Sequence, residues 1–238
     1  MLFALLGGAF INYGYIFYAK ALEKSDSSRV VPLFQTIPIF ILILGTLFFQ
    51  EFIAGQQLVG FFIVFVGGIL LSINKDIAGK RKLGSGFWLM LTSSFLISVS
   101  ILFSDTVLEQ TSFITLFTYD VIGFSLAGFS LLLYTPWRKN IASGLKRART
   151  KKYSLFLLND VIDVSGHICY KFALIGAPSA ALVAVMGGSQ PFFLLILGTL
   201  VTIFAPKIIT EDISKKAITQ KLIGVIIIFI GVALITLI

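Results

Sequence analysis

The chain has 238 residues, 57% of them hydrophobic and only 13% charged, with a mean hydropathy of +0.99. Soluble domains carry about 25% charged residues. That deficit, with apolar runs long enough to cross a hydrocarbon core, excludes a soluble enzyme, a coiled coil and a disordered chain. The net charge of +8 lies in short connectors rather than on one basic face, so it marks topology and not a nucleic-acid partner.

The apolar runs predict eight spans at 2–22, 30–49, 57–74, 86–105, 112–134, 153–176, 179–204 and 221–238. All are expected to be helices: a helix satisfies its backbone hydrogen bonds internally, and no β-type alternation is visible. Met1 leads into the first span with no charged n-region or cleavage site, so no cleaved signal peptide is expected. One cysteine, Cys169, and one histidine, His167, provide neither a disulfide framework nor a metal cluster. No metal or cofactor is expected.

Of the 19 basic residues, 18 fall on alternate connectors, in clusters at Lys20–Arg29, Lys75–Lys82, Arg138–Lys152 and Lys207–Lys221. The connectors between them carry none, and Lys171 lies within a span. The positive-inside rule makes the charged side cytoplasmic and both ends of the chain external, in a multi-pass protein of the plasma or inner membrane. Residues 135–152 are expected to lie against anionic headgroups. In 205–220, Ile209, Ile213 and Ala217 recur every four residues, which predicts a short interfacial helix.

The sequence also repeats. Pro38–Leu47 and Pro191–Leu200 are identical at eight of ten positions. Upstream, Gly14, Tyr18, Ala21 and Leu22 match Gly166, Tyr170, Ala173 and Leu174. Downstream, Leu58, Gly60, Ile63, Phe65 and Gly67 match Leu222, Gly224, Ile227, Phe229 and Gly231. Spans one to three thus correspond to spans six to eight. An offset of five spans is odd, so the copies enter the membrane from opposite sides, the inverted arrangement of secondary transporters.

The run Ala21-Leu22, Ser28-x-Val30-Val31-Pro32-Leu33, Pro38, Gln50-Glu51, Gln57-Leu58-x-Gly60 and Gly67-Gly68 resembles the EamA-type repeat of the drug/metabolite transporter superfamily. The resemblance implies two five-helix halves, cytoplasmic termini and transport of small organic solutes or metabolites. The chain departs from it by having three helices in the first repeat (1–74), joined by a cytoplasmic linker (75–85) to a five-helix second repeat (86–238). Truncation of a longer product is the expectation; a partner supplying two helices is the alternative. The charge count also puts the ends outside, against the family's pattern.

Ionisable groups within spans mark a pathway or a paired interior contact. Asp160, Asp163, His167 and Lys171 are spaced by three, four and four, sharing a helix face about 80° wide that Tyr170 extends. Asp163 lies roughly 15 Å into the sixth span, and Asp120 in the fifth span is at comparable depth. These groups can line a polar cavity in which a carboxylate or His167, whose residue type titrates near neutral pH, takes up a proton as solute exchanges. Alternatively, Asp163 and His167 pair locally and Lys171 snorkels outward. Asn12 and Tyr15 on the first span offer an opposing surface. Gln35, Thr36 and Gln190 flank Pro38 and Pro191, which are expected to kink their helices at matching depths. The serines of the fourth span suit close packing.

These features predict a secondary-active transporter, an exporter of a small organic solute. A lipid or lipid-linked-sugar flippase is the alternative within transport, and a non-transporting fragment or subunit of a larger membrane assembly the alternative outside it. The expected partners are the solute and membrane lipids, without nucleic acid; a homo-oligomer is compatible with the sequence. No P-loop is present to bind ATP. An enzyme is not expected: Cys169 and His167, at i and i+2, point to opposite sides of a helix.

Overall fold

In a computed structural model the described residues are 1–25, 27–49, 55–75, 81–147, 150–176, 183, 190–206 and 212–236. Helix α1 is Leu2–Leu22 and α2 is Ser27–Val30, which passes through the 3-10 segment Val31–Thr36 into α3, Ile37–Phe49. Helix α4 (Gly55–Ser72) leads to a short ladder in which β1 (Ile73–Lys75) pairs antiparallel with β2 (Arg81–Leu83), Asn74 opposite Lys82. Then follow α5 (Ser85–Leu108), α6 (Phe113–Ser130) with a 3-10 extension Leu131–Leu133, α7 (Thr135–Arg147), α8 (Thr150–Gly176), α9 (Gln190–Phe204) and α10 (Lys215–Thr236).

Among the described residues, five segments are long and apolar enough to cross a bilayer: Leu2–Leu22, Val31–Phe48, Ser85–Leu108, Phe113–Leu133 and Lys215–Ile235. Gly55–Leu71 and Phe193–Phe204 are shorter apolar helices. The protein is therefore a helical multi-pass membrane protein. At 27 residues α8 has the length, but Asn159, Asp160, Asp163, His167 and Lys171 lower its hydropathy.

The structure corrects several details. The expected interfacial helix across 205–220 is not formed at 212–214, and residues 207–211 lie outside the described set. Instead Asp212 Oδ1 accepts the Ser214 backbone N–H at 3.0 Å and Ser214 Oγ accepts that of Ala217 at 3.3 Å. Such a side-chain cap satisfies a first-turn donor and starts α10 at Lys215. The basic connector after α6 is helical as α7, because Pro136 falls in the first turn, where its missing N–H is harmless. Pro38 is the second residue of α3 and follows the 3-10 segment, so it does not interrupt an α-helical interior; the residues just before Gln190, on which the expected kink at Pro191 depends, lie outside the described set. At Pro38 the change is from 3-10 to α geometry.

The chain forms two compact units, residues 1–12 with 100–179 and residues 13–99 with 180–238, each drawing on both expected repeats. In the first, Ala4, Val107 and Leu116 form a buried cluster. There α1 meets α6 backbone to backbone: a Cβ on Gly8 would overlap Asp120, and one on Gly123 would overlap Leu5. Rings of Phe113 and Phe172 stack at 4.3 Å between α6 and α8.

In the second unit, α4 and α10 pack along their length over Val64, Leu71, Val225, Ile228 and Val232. Glycines permit the approach. A Cβ on Gly60 would lie 2.6 Å from the Gly231 carbonyl oxygen, and one on Gly67 would lie 3.1 Å from that of Gly224. The α5 serines do more than pack. Ser93 Oγ donates to the Gly14 carbonyl at 2.8 Å, Ser94 Oγ to Leu33 and Ser98 Oγ to Ile37, both at 3.2 Å. The last two carbonyls lie in the 3-10-to-α junction, where regular helical pairing is interrupted.

Candidate functional site

The first unit contains a buried charge pair. Lys171 Nζ on α8 lies 3.3 Å from Asp120 Oδ2 on α6 and donates to Ser104 Oγ on α5 at 3.0 Å. Lys171 is 5% and Asp120 6% exposed, so neither charge has water as an alternative partner. The snorkelling alternative for Lys171 is thereby corrected: the stacked Phe113 and Phe172 hold α6 against α8, bringing the ammonium to the carboxylate. Asp120 Oδ1 and Tyr170 Oη are both buried and have no hydrogen-bond partner among the described residues. A buried polar atom without a partner costs about 1–3 kcal/mol, so Asp120 Oδ1 leaves the charge pair with spare capacity to accept a hydrogen bond.

One to three helical turns earlier on α8 the environment opens. His167 Nε2 is 4.0 Å from Asp163 Oδ2, at the outer limit of an ion pair, with the Asp163 side chain 44% exposed. Asp160 is exposed. The structure thus brings Asp120 to Lys171, and Asp163 to His167, but does not gather the carboxylates and imidazole into one enclosed site. Asn12 is occupied structurally, its Nδ2 donating to the Phe124 carbonyl at 3.1 Å.

The remaining expected site residues belong to the second unit. Gln35 and Thr36 are buried in the 3-10 segment, where Thr36 Oγ1 donates to the Leu33 carbonyl at 2.7 Å. Tyr15 is half-buried and Gln190 exposed. Pro38 is buried. Sequence reasoning placed Lys171 on the α8 stripe but not beside Asp120. Similar depth in the membrane was the available signal; that the two side chains meet follows from the packing of α6 on α8.

Outside the spans, Asp212 has its carboxyl held below the ordinary carboxylate value. The chief cause is the Ser214 backbone N–H, followed by the Ser214 hydroxyl, with Arg29 and Lys221 contributing attraction. Lys221 Nζ also donates to the Asp212 carbonyl at 3.2 Å, closing the cap of α10.

Comparison with solved structures finds a protein of known crystal structure with the same fold, at a TM-score of 0.57 and 14% identity, covering 98% of this chain and 75% of that one. At that identity the likeness speaks for the fold. No curated protein matches the chain. Residues 1–73 match the model described as EamA-like transporter family, a family of transporters and not of enzymes. That segment, which includes α1, α3 and α4, is where this multi-pass membrane protein is similar to the EamA-like transporter family.

Proposed function

We propose that the protein is a secondary-active transporter, an exporter of a small organic solute, working by alternating access between two inverted repeats across eight spans. The observation that carries this reading is the α4–α10 crossing. In the sequence repeat Gly60 corresponds to Gly224 and Gly67 to Gly231. In the structure Gly60 meets Gly231 and Gly67 meets Gly224. A two-fold axis relating the repeats converts each contact into the other, which is what an inverted pair requires.

On this reading the eight spans include the shorter helices α4 and α9 and the polar α8. The repeats occupy 1–74 and 86–238, with 75–85 as a cytoplasmic linker. Asp120, Asp160, Asp163, His167 and Tyr170 lie on the solute and coupling path, with Asn12, Tyr15, Gln35, Thr36 and Gln190 as flanking positions. The test is thermal stability of the purified chain against amino acids, nucleosides, sugars and cationic drugs. A ligand at about a hundred times its dissociation constant adds roughly 2.7 kcal/mol. A stabilising ligand whose effect and transport are lost in Asp163→Asn supports the reading; unchanged transport in Asp163→Asn and His167→Ala removes the α8 stripe from the path.

A second reading, a subunit of a larger membrane assembly, is favoured by a different observation. Ala4, Gly7, Gly8 and Ile11 of α1 are buried. Their sequence equivalents on α8 are Phe156, Asn159, Asp160 and Asp163, all exposed. Gly14 packs on Ile97, whereas a Cβ on its equivalent Gly166 would meet nothing within 4 Å. The bare face of α8 is thus the counterpart of a contact face and a seat for further helices. Transport by a preparation whose native mass is that of one chain alone would exclude this reading.

A further inference from the structure

We infer that α7 is a membrane-surface helix that binds anionic phospholipid headgroups. The proposal does not depend on what the chain carries. Helix α7 follows the apolar span Phe113–Leu133 almost directly. Thirteen residues make about 20 Å of helix tethered at its start to that span. That tether keeps α7 near one membrane face.

Its sequence suits that place. Trp137 and Ile141, at i and i+4, share one side. Arg138 and Lys139, rotated by about 100° and 200° from Trp137, are exposed. Tyr134, 61% exposed, adjoins the first turn, where its carbonyl accepts the Trp137 and Arg138 backbone N–H groups at 3.1 Å. A Tyr–Trp pair at the end of an apolar span is where amphipathic rings settle in the headgroup region. A narrow apolar stripe opposite a cationic surface is the pattern of a helix lying in the interface.

Charge selects the lipid. Residues 135–152 contain seven of the chain's 19 Lys and Arg and none of its 11 Asp and Glu. The segment therefore supplies no acidic side chain to neutralise its own cations. Within its unit α7 is little covered: nearly all of 135–144 is exposed, and a Cβ on Gly144 would meet nothing within 4 Å. Clustered cations beside a span attract anionic headgroups within about 8 Å, the screening distance at physiological salt. Since α7 leads into α8, lipid bound there fixes the end of the helix that carries Asp163, His167 and Lys171.

The chain's two tryptophans, Trp88 and Trp137, make the test direct. Full-length Trp88→Phe protein, with Trp137 as its only indole, is reconstituted in phosphatidylcholine vesicles. Brominated phosphatidylglycerol or brominated phosphatidylcholine is then titrated in. The expected result is half-maximal quenching of Trp137 at a several-fold lower mole fraction of the anionic lipid, the preference shrinking in 0.5 M salt. The preference is expected to vanish when Arg138, Lys139, Lys146 and Arg147 are each changed to Gln. Trp88 in a Trp137→Phe chain should show no comparable preference. Equal quenching of Trp137 by the two lipids at low salt would overturn the proposal, and so would a preference insensitive to salt in the unneutralised chain. No quenching by either lipid also overturns it, leaving α7 to a soluble acidic partner.

Discussion

Asp120 and Lys171 show how one pair of side chains sets local energetics. Each is buried in a membrane-spanning unit, so removing either strands the other's charge away from water. Breaking such a pair costs about 3–5 kcal/mol, whereas replacing both partners with neutral groups is far less harmful. Asp120→Asn and Lys171→Met should each lower thermal stability in detergent sharply, while the double variant recovers most of the loss. Single-variant losses that simply add would show that the two groups do not interact. Asp212, at the surface, tests a weaker effect. Its folded carboxyl is held below the ordinary value of 3.8, chiefly by the Ser214 backbone N–H, so its contribution is present above that value. That contribution disappears as pH falls through the depressed value. Wild type should be slightly more stable than Asp212→Asn at pH 6, with the difference shrinking as pH falls below about 3.8; a gap that does not change with pH in that range would assign the effect to something other than this carboxylate.

Between helices, the decisive contrast is glycine against glycine. Gly60 sits where any Cβ collides with the backbone of α10, while Gly166 is on a helix with open space around it. Gly60→Ala forces α4 and α10 apart and should cost about 1–3 kcal/mol, the range for overpacking. Gly166→Ala only relieves the entropic cost of a helical glycine and should raise stability of the isolated chain by about 0.5–1 kcal/mol. Thermal unfolding of the two variants checks both signs. The same Gly166→Ala chain separates the two functional readings: it impairs transport in the native membrane if further helices dock on α8, and leaves transport intact if that face meets only solute or lipid.

For the whole molecule the open variable is sidedness, which charge distribution specifies through the positive-inside rule. The lone cysteine makes it measurable, because Cys169→Ser gives a background free of thiols. On that background, Gln110→Cys should react with a membrane-impermeant maleimide in intact cells. Ser143→Cys, in the cationic helix α7, should react only after permeabilisation. The reverse pattern would set the family's cytoplasmic termini above the charge count.

The sequence by itself determined the elements that a bilayer enforces. A hydrocarbon core admits only long apolar segments with internally paired backbones, so α1, α5, α6 and α10 were legible as helices from composition and run length. The i, i+4 spacing likewise gave the Asp163–His167 neighbours, since helical periodicity alone places them on one face. The 13 residues of α7 were less legible: their cations resembled a solvated connector, and the apolar stripe is only two described residues wide. Tertiary structure decided the rest. Lys171 pairs with Asp120 instead of reaching the headgroups because α6 and α8 pack together, and no one-dimensional pattern encodes that approach. The α5 serines bond to carbonyls 61 and 79 residues away for the same reason. Spacing along a chain fixes which residues share a face; which face meets which partner depends on packing between distant segments, where burial, hydrogen bonding and charge are settled together.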